Sequence, residues 1–274
     1  MEKKNHTILL TFDVEEFDHP LENGSSLPSC EQMTLGKKGL DIINELFNDT
    51  AINCTLFTTA NFALKFPSTI AALSGKHEIA SHTFFHSSFN KEDLLNSREV
   101  LEDIISKKVV GLRMPGMKKI EAGLIKGAGY TYDCSVIPSW IPGQHDHFRV
   151  PRTCYNENGI TRIPLSVSAN FRIPLFWLAF KNFPYTYFKK LALQSLKKDG
   201  YLSLYFHPWE FLDLGKYNLP LMIKRKSGIK LAEKLKQLIT DLKEVAEFKT
   251  IQSFLENRNE SVFLEQDKGK FLFT

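Results

Sequence analysis

The chain reads as an α/β protein, a single distorted (β/α) barrel of about seven or eight parallel strands over residues 1–274. Three observations carry that reading. Short β-forming runs alternate with amphipathic helical stretches. Polar residues able to do chemistry recur directly after the strands, on the face where such a barrel opens. The 274 residues suit one barrel of ~250 residues as well as two smaller units, and folding would bury roughly three quarters of the unfolded surface.

The strands are expected at Thr7–Phe12, Ile52–Thr58, His77–Ser81, Val109–Leu112, Tyr130–Val136, Thr161–Val167, Tyr201–Phe206 and Glu247–Ile251. Between them, Leu40, Ile43, Leu46 and Phe47 step at helical spacing, as do Leu94, Leu101, Ile104 and Ile105. Near the end, Leu231, Leu235, Leu238, Ile239 and Leu242 form another apolar stripe, with Lys and Glu on the opposite face. No repeat, low-complexity tract or linker-like stretch divides the sequence. With 43% hydrophobic and 24% charged residues the composition excludes a fibrous or mostly disordered chain.

The net charge of +4 is too mild and too scattered for a nucleic-acid footprint. Cys30, Cys54, Cys134 and Cys154 offer no C-x-x-C pair, so they read as reduced thiols of a cytoplasmic protein. The stretch after Met1 is polar, and its first apolar run is too short for a signal peptide. Ile173 to Phe180 is the longest apolar run; it holds Pro174 and is far below the ~20 residues that span a bilayer. The expectation is a soluble protein, or one attached peripherally to the inner face of a membrane.

The candidate chemistry sits at the strand ends. His82-Thr83-Phe84-Phe85-His86 places two imidazoles on one side of a helical turn or irregular loop, both able to reach one metal ion, with Thr83 adding little. Thr11 to His19 packs the carboxylates Asp13, Glu15, Glu16 and Asp18 directly after the apolar Ile8-Leu9-Leu10. In extended chain, side chains two apart point the same way, so Asp13 and Glu15 face the barrel mouth while Val14 points away. Arg113, in Gly111 to Gly116, is a guanidinium placed to pair with Asp13 and keep it ionised. His207 ends the run Leu204-Tyr205-Phe206 and is a candidate general acid.

Together these pieces resemble the polysaccharide deacetylases, the NodB-homology domain or family-four carbohydrate esterases. Thr11-Phe12-Asp13-Val14 is similar to the family's T-F-D-D motif at three of four positions, and His82 to His86 meets H-[ST]-x-x-H in full. Arg113 and Pro115 match an R-x-P turn, Leu204 and His207 match L-x-x-H, and Asp133 with Trp140 loosely match the groove-lining motif. The sequence resembles most a subgroup associated with exopolysaccharides and without signal peptides. Its F-D-V-E-[DE], G-F-R-x-P, Y-D-S-S-like and H-P-W-E signatures compare with Phe12–Glu16, Gly111–Pro115, Tyr132–Ser135 and His207–Glu210.

The resemblance implies a hydrolase that removes the acetyl group from an N-acetylated sugar in a glycan, glycolipid or polysaccharide precursor. It implies His82, His86 and a carboxylate as ligands of a divalent ion: zinc first, with cobalt, nickel and manganese as alternatives. Val14 stands where the family's metal-binding aspartate would be; strand alternation makes Glu15 the substitute, with Glu16 and Asp18 as alternatives. Asp13 becomes the base, His207 the acid and Arg113 the residue that orients Asp13, with Trp140, Trp209, Pro115 and Leu204 lining the groove. Two rivals are a metal-free glycan-binding barrel and a glycosidase using Asp13 or Glu15 with Glu210. The aromatic stretch from Phe171 to Phe188 reads either as helices packed on the barrel or as a wall touching sugars or a lipid-linked substrate. In the second reading, Lys181, Lys189 and Lys190 would lie near anionic headgroups.

Overall fold

The computed structural model describes residues 6–141 and 145–258. The strands are β1 (Thr7–Val14), β2 (Thr55–Thr58), β3 (Glu78–Ser81), β4 (Gly111–Leu112), β5 (Tyr132–Asp133), β6 (Trp140–Ile141), β7 (His145–Asp146), β8 (Tyr155–Glu157), β9 (Ile160–Arg162), β10 (Tyr201–Phe206) and β11 (Glu247–Phe248). The helices are α1 (His19–Glu22), α2 (Ser29–Thr50), α3 (Ala60–Lys65), α4 (Pro67–Leu73), α5 (Asp93–Ile105), α6 (Ala122–Gly127), α7 (Trp177–Asn182), α8 (Tyr185–Asp199), α9 (Leu221–Lys224) and α10 (Ile229–Lys243). A last helix covers 251–258.

The main sheet curls in the order β10-β1-β2-β3-β4-β5-β9-β8, with β11 also on β1. Its pairings are parallel except for the β8–β9 hairpin. Beyond β9 the chain runs on to the opposite edge, where the Ser166 amide donates to the Ser203 carbonyl at 3.1 Å. The sheet is therefore nearly closed, as a distorted (β/α) barrel.

Two cores follow from the alternation of β1. Ile8, Leu10, Phe12 and Val14 face outward into a large cluster with the helices, including Leu40, Ile43, Leu46 and Phe47 of α2 and the expected stripe of α10. Leu9 faces inward, against Phe57, Ala80, Tyr132, Cys134 and Ile163. Thr11 and Asp13 continue that inward face toward the C-terminal rim. Because both faces are covered, β1 is buried along nearly its whole length, which is why its sequence is almost continuously apolar.

The register aligns the rim. Val14 pairs with Thr58, Thr58 with Ser81, Ser81 with Leu112 and Leu112 with Asp133. The residues one step beyond include Glu15, His82 and Arg113, and β10 delivers His207 to the same end through its pairing of Phe206 with Phe12.

Several strands differ from expectation in length. β1 extends to Val14 because β2 keeps pairing with it. The run expected at Tyr130–Val136 narrows to β5, because the Asp133 carboxylate takes the Ser135 amide at 3.1 Å and the Ser135 hydroxyl at 2.5 Å. The run Thr161–Val167 leaves the ladder after β9 at Pro164, which lacks a donor. The β6–β7 hairpin and β8 have too few residues to show a periodicity in the sequence.

Candidate active site

The carboxylates after β1 divide three ways. Glu15 is buried, and its Oε2 lies 3.2 Å from His82 Nε2 and 3.4 Å from His86 Nε2. That oxygen has no hydrogen-bond partner, whereas Oε1 accepts from the Trp209 indole N–H at 3.0 Å. Glu16 serves the loops: it accepts from the Thr59 hydroxyl at 2.7 Å and from the Asn61 amide and the His86 backbone N–H at 3.2 Å. Asp18 Oδ1 meets His86 Nδ1 at 2.7 Å.

His82 has a matching support, since its Nδ1 lies 2.8 Å from the Arg113 carbonyl, which can only accept. Both imidazoles thus present Nδ1–H to an oxygen acceptor and turn Nε2 toward Glu15, the orientation that supporting groups impose on metal-ligating histidines. They do not sit on a helix. Thr83 between them takes φ +63°, a left-handed conformation costly for a β-branched residue, so it does more than fill the spacing. Its amide donates to Ser81 Oγ at 3.1 Å and its carbonyl accepts from the Ala60 amide at 3.0 Å, which hold the turn.

Arg113, only 1% exposed, donates from Nη1 to Asp13 Oδ1 at 2.6 Å and to the Thr11 hydroxyl at 2.9 Å. Its guanidinium lies over the Phe57 ring at 4.1 Å, sandwiched toward Tyr205 at 5.1 Å. Burial disfavours its charge, yet Asp13 beside it holds the guanidinium above its ordinary range. His207 Nε2 faces Asp13 Oδ2 at 3.9 Å, and its Nδ1 meets Glu210 Oε1 at 3.1 Å. The ring stacks on Trp209 at 4.8 Å and abuts Trp177 edge-on at 5.1 Å.

Burial alone would depress the His207 pKa, but the Glu210 hydrogen bond and the Glu15, Glu210 and Asp13 charges raise it. His86 behaves alike: burial opposes its charge, while Glu15 and Asp18 raise it to about 10 in the metal-free protein. For Glu15 burial pulls upward, but the imidazoles of His86, His82 and His207 hold it far below the usual carboxylate range.

Other expected site residues take different places. Trp209 is fully buried and holds Glu15, so it offers no face to a groove. Leu204 is a core residue and Pro115 is buried, which leaves both as supports under the rim. Asp133 is paired with Arg162 at 2.7 Å inside the barrel. Trp140 is 61% exposed. Glu210, fully buried against His207 and Lys181, lacks the exposure that a glycosidase carboxylate needs. Lys181 is itself buried, donating to the Ile223 carbonyl at 2.9 Å, and is not a headgroup contact. Phe180 and Phe188 are core, whereas Phe171 is 80% exposed. Among the described residues no helix is long and apolar enough to cross a membrane.

Sequence reasoning missed His19, Trp177 and the Glu210–Lys181 pair. The pair shows no local pattern, because its partners are brought together only by folding. His19 stood in plain view beside the acidic burst, but nothing in its spacing tied it to His82 or His86.

No family model and no curated protein matches the chain. Solved structures do. A protein titled as a polysaccharide deacetylase from Mycobacterium smegmatis aligns at TM-score 0.63 and 18% identity, over 94% of this chain and 92% of its own. PuuE allantoinase aligns at TM-score 0.58 and 18% identity, over 90% and 87%. A protein titled as a polysaccharide deacetylase from Pseudomonas aeruginosa aligns at TM-score 0.59 and 15% identity, over 89% and 87%. At these identities the similarity is one of fold: the chain has the architecture that these polysaccharide-deacetylase and allantoinase structures share.

Proposed function

We propose that this protein is a metal-dependent carbohydrate N-deacetylase, hydrolysing the acetamide of an N-acetylated sugar. One observation carries the reading: a buried Glu15 oxygen without a hydrogen-bond partner, faced by two imidazole nitrogens whose other nitrogens are already engaged. A buried carboxylate oxygen so placed attracts positive charge, which protonated His86 supplies in the metal-free protein and a divalent ion would supply in its place. Imidazole and carboxylate donors suit zinc best. Two of the named structural neighbours carry deacetylase titles, which supports the same class of reaction.

Glu15, His82 and His86 would hold the ion. When bound, it supplies Lewis acidity that polarises the acetamide carbonyl and makes water a better nucleophile. Asp13, oriented by its 2.6 Å hydrogen bond from Arg113, accepts the proton of the attacking water. As the new C–O bond forms and the C–N bond breaks, His207 gives its proton to the departing amine; the products are acetate and the free amino sugar. Glu210, Glu15 and Asp13 raise the pKa of His207 above its ordinary value, which favours its holding that proton. Trp209 stacked on the ring and Trp177 edge-on to it fix the plane of that imidazole.

The test is acetate release from N-acetylated sugars and glycans, with and without chelator. Activity that chelator abolishes and zinc restores is expected, whereas chelator-insensitive release of reducing ends would replace this reading with a glycosidase. His207→Ala is expected to retain zinc while turnover falls about 10²–10⁴-fold, the usual contribution of a general acid. Unchanged turnover would remove His207 from the reaction.

A further inference from the structure

His19 shares the centre described above. One ring nitrogen of His19, one of His86 and a carboxylate oxygen of Glu15 all lie within 4.8 Å of one another. His82 lies outside that group of three but approaches the same Glu15 carboxylate at 3.2 Å. Building on the metal-dependent reading, we propose that His19 is a further protein donor to the same ion, making the set one carboxylate and three imidazoles.

Three features point the same way. His19 Nδ1 lies 3.2 Å from Glu22 Oε2, so its other nitrogen is left free, as Asp18 leaves His86 and the Arg113 carbonyl leaves His82. Three imidazoles in one pocket, each with Nδ1 tied to an oxygen acceptor, have a common arrangement that packing alone does not require. The ring is also positioned by the group that positions Glu15: it meets Trp209 edge-on at 4.8 Å, and it faces His86 at 5.5 Å. The backbone beneath is braced, with Asn23 donating to the His19 carbonyl at 3.1 Å and Asn218 donating to the Asn23 carbonyl at 2.9 Å.

The partial exposure of His19 gives the donor a distinct character. His82 and Glu15 are buried, whereas the His19 side chain, on the four-residue α1, keeps 17% of its surface exposed. It would add a further protein donor to the ion, so its loss should weaken metal binding.

The experiment titrates zinc against a competing chelator, and records the visible ligand-field absorption of the cobalt-loaded protein, for wild type, His19→Ala, His19→Gln and His82→Ala. Melting curves of the metal-free variants check that each is folded. The expected result is zinc binding at least about 10-fold weaker in both His19 variants, the scale of loss even for groups that only orient a ligand, together with a changed cobalt spectrum. A dissociation constant within about twofold of wild type, while His82→Ala loses the ion, would overturn the role of His19 and leave the metal site intact. Weaker binding with an unchanged spectrum would overturn it too, because His19 would then only pack. A wild-type protein that binds neither ion removes both this inference and the deacetylase reading.

Discussion

Three carboxylates within four residues, Glu15, Glu16 and Asp18, make three separable predictions. Glu15→Gln keeps the shape but removes the charge and one donor, so zinc affinity should fall by more than about 100-fold, beyond the 10–100-fold expected for a supporting group. Asp18→Asn, which loosens His86 only, belongs in that 10–100-fold range. Glu16→Gln should leave affinity within a few fold, because its oxygens bind Thr59, Asn61 and the His86 amide. Chelator competition on the three variants ranks them, and equal losses would contradict the division. That Glu15 would face the same mouth as Asp13 was legible beforehand, since alternation along β1 needs no knowledge of the fold. The use of Asp18 was not, because it depends on a loop that turns Asp18 under an imidazole. Trp209 was misread for a related reason: an aromatic residue next to a candidate general acid suits a sugar platform, and only burial reveals that its indole N–H serves Glu15.

Helix α2 sets how closely the rim can assemble. A Cβ at Gly36 would lie 2.4 Å from the Glu15 carbonyl oxygen, and one at Gly39 would lie 2.3 Å from that of Pro208. The helix therefore presses bare backbone against both the carboxylate loop and the turn carrying His207. Gly36→Ala and Gly39→Ala should each cost about 1–3 kcal/mol through overpacking, and each should lower turnover by displacing those loops. Gly123→Ala in α6 meets nothing within 4 Å and should stabilise by about 0.5–1 kcal/mol. Urea denaturation of the three variants provides the contrast, and a neutral Gly39→Ala would refute the close docking. The pairing of α7 with the turn after His207 is as exacting. Lys181 faces Glu210 at 3.3 Å with both side chains buried, and burial pushes the Lys181 pKa down against the pull of Glu210. Lys181→Met leaves that carboxylate with His207 alone as its partner and should cost up to about 3–5 kcal/mol, measured by the same denaturation. Adding Glu210→Gln should restore much of the stability while slowing turnover, since His207 then loses its orienting charge. The alternation that placed the strands and the stripes of α2, α5 and α10 was visible in sequence, because each repeats over many residues. Lys181 in an aromatic stretch looked like a surface cation, since an ion pair formed across distant segments leaves no periodic trace.

If Glu15, His82 and His86 hold an ion as proposed, proton and metal binding compete at the same side chains. In metal-free protein His86 and His207 have pKa values above the ~6.5 of an unfolded chain, His86 at about 10. Their contribution to stability is fully present below ~6.5 and is lost as pH rises through the folded values. Glu15 has the opposite sign: its depressed pKa stabilises the fold above an unfolded value of ~4.3, and that contribution is lost as pH falls. Metal-free protein should therefore be most stable in mildly acidic solution and weaken toward alkaline pH. Ligation requires His86 neutral, so a divalent ion must displace the proton that Glu15 and Asp18 hold there, and affinity should increase with pH. Bound zinc at 100 times its dissociation constant adds about 2.7 kcal/mol of stability, roughly 5–10 °C in melting temperature for a chain of this size. Calorimetric melts with zinc or with chelator should then diverge more at about pH 8.5 than near the unfolded histidine value of ~6.5. Glu15→Gln should bring the two curves together at both values. A zinc-induced shift that shrinks as pH rises would mean that no imidazole proton is exchanged for the ion, and that the histidines around Glu15 are not its ligands.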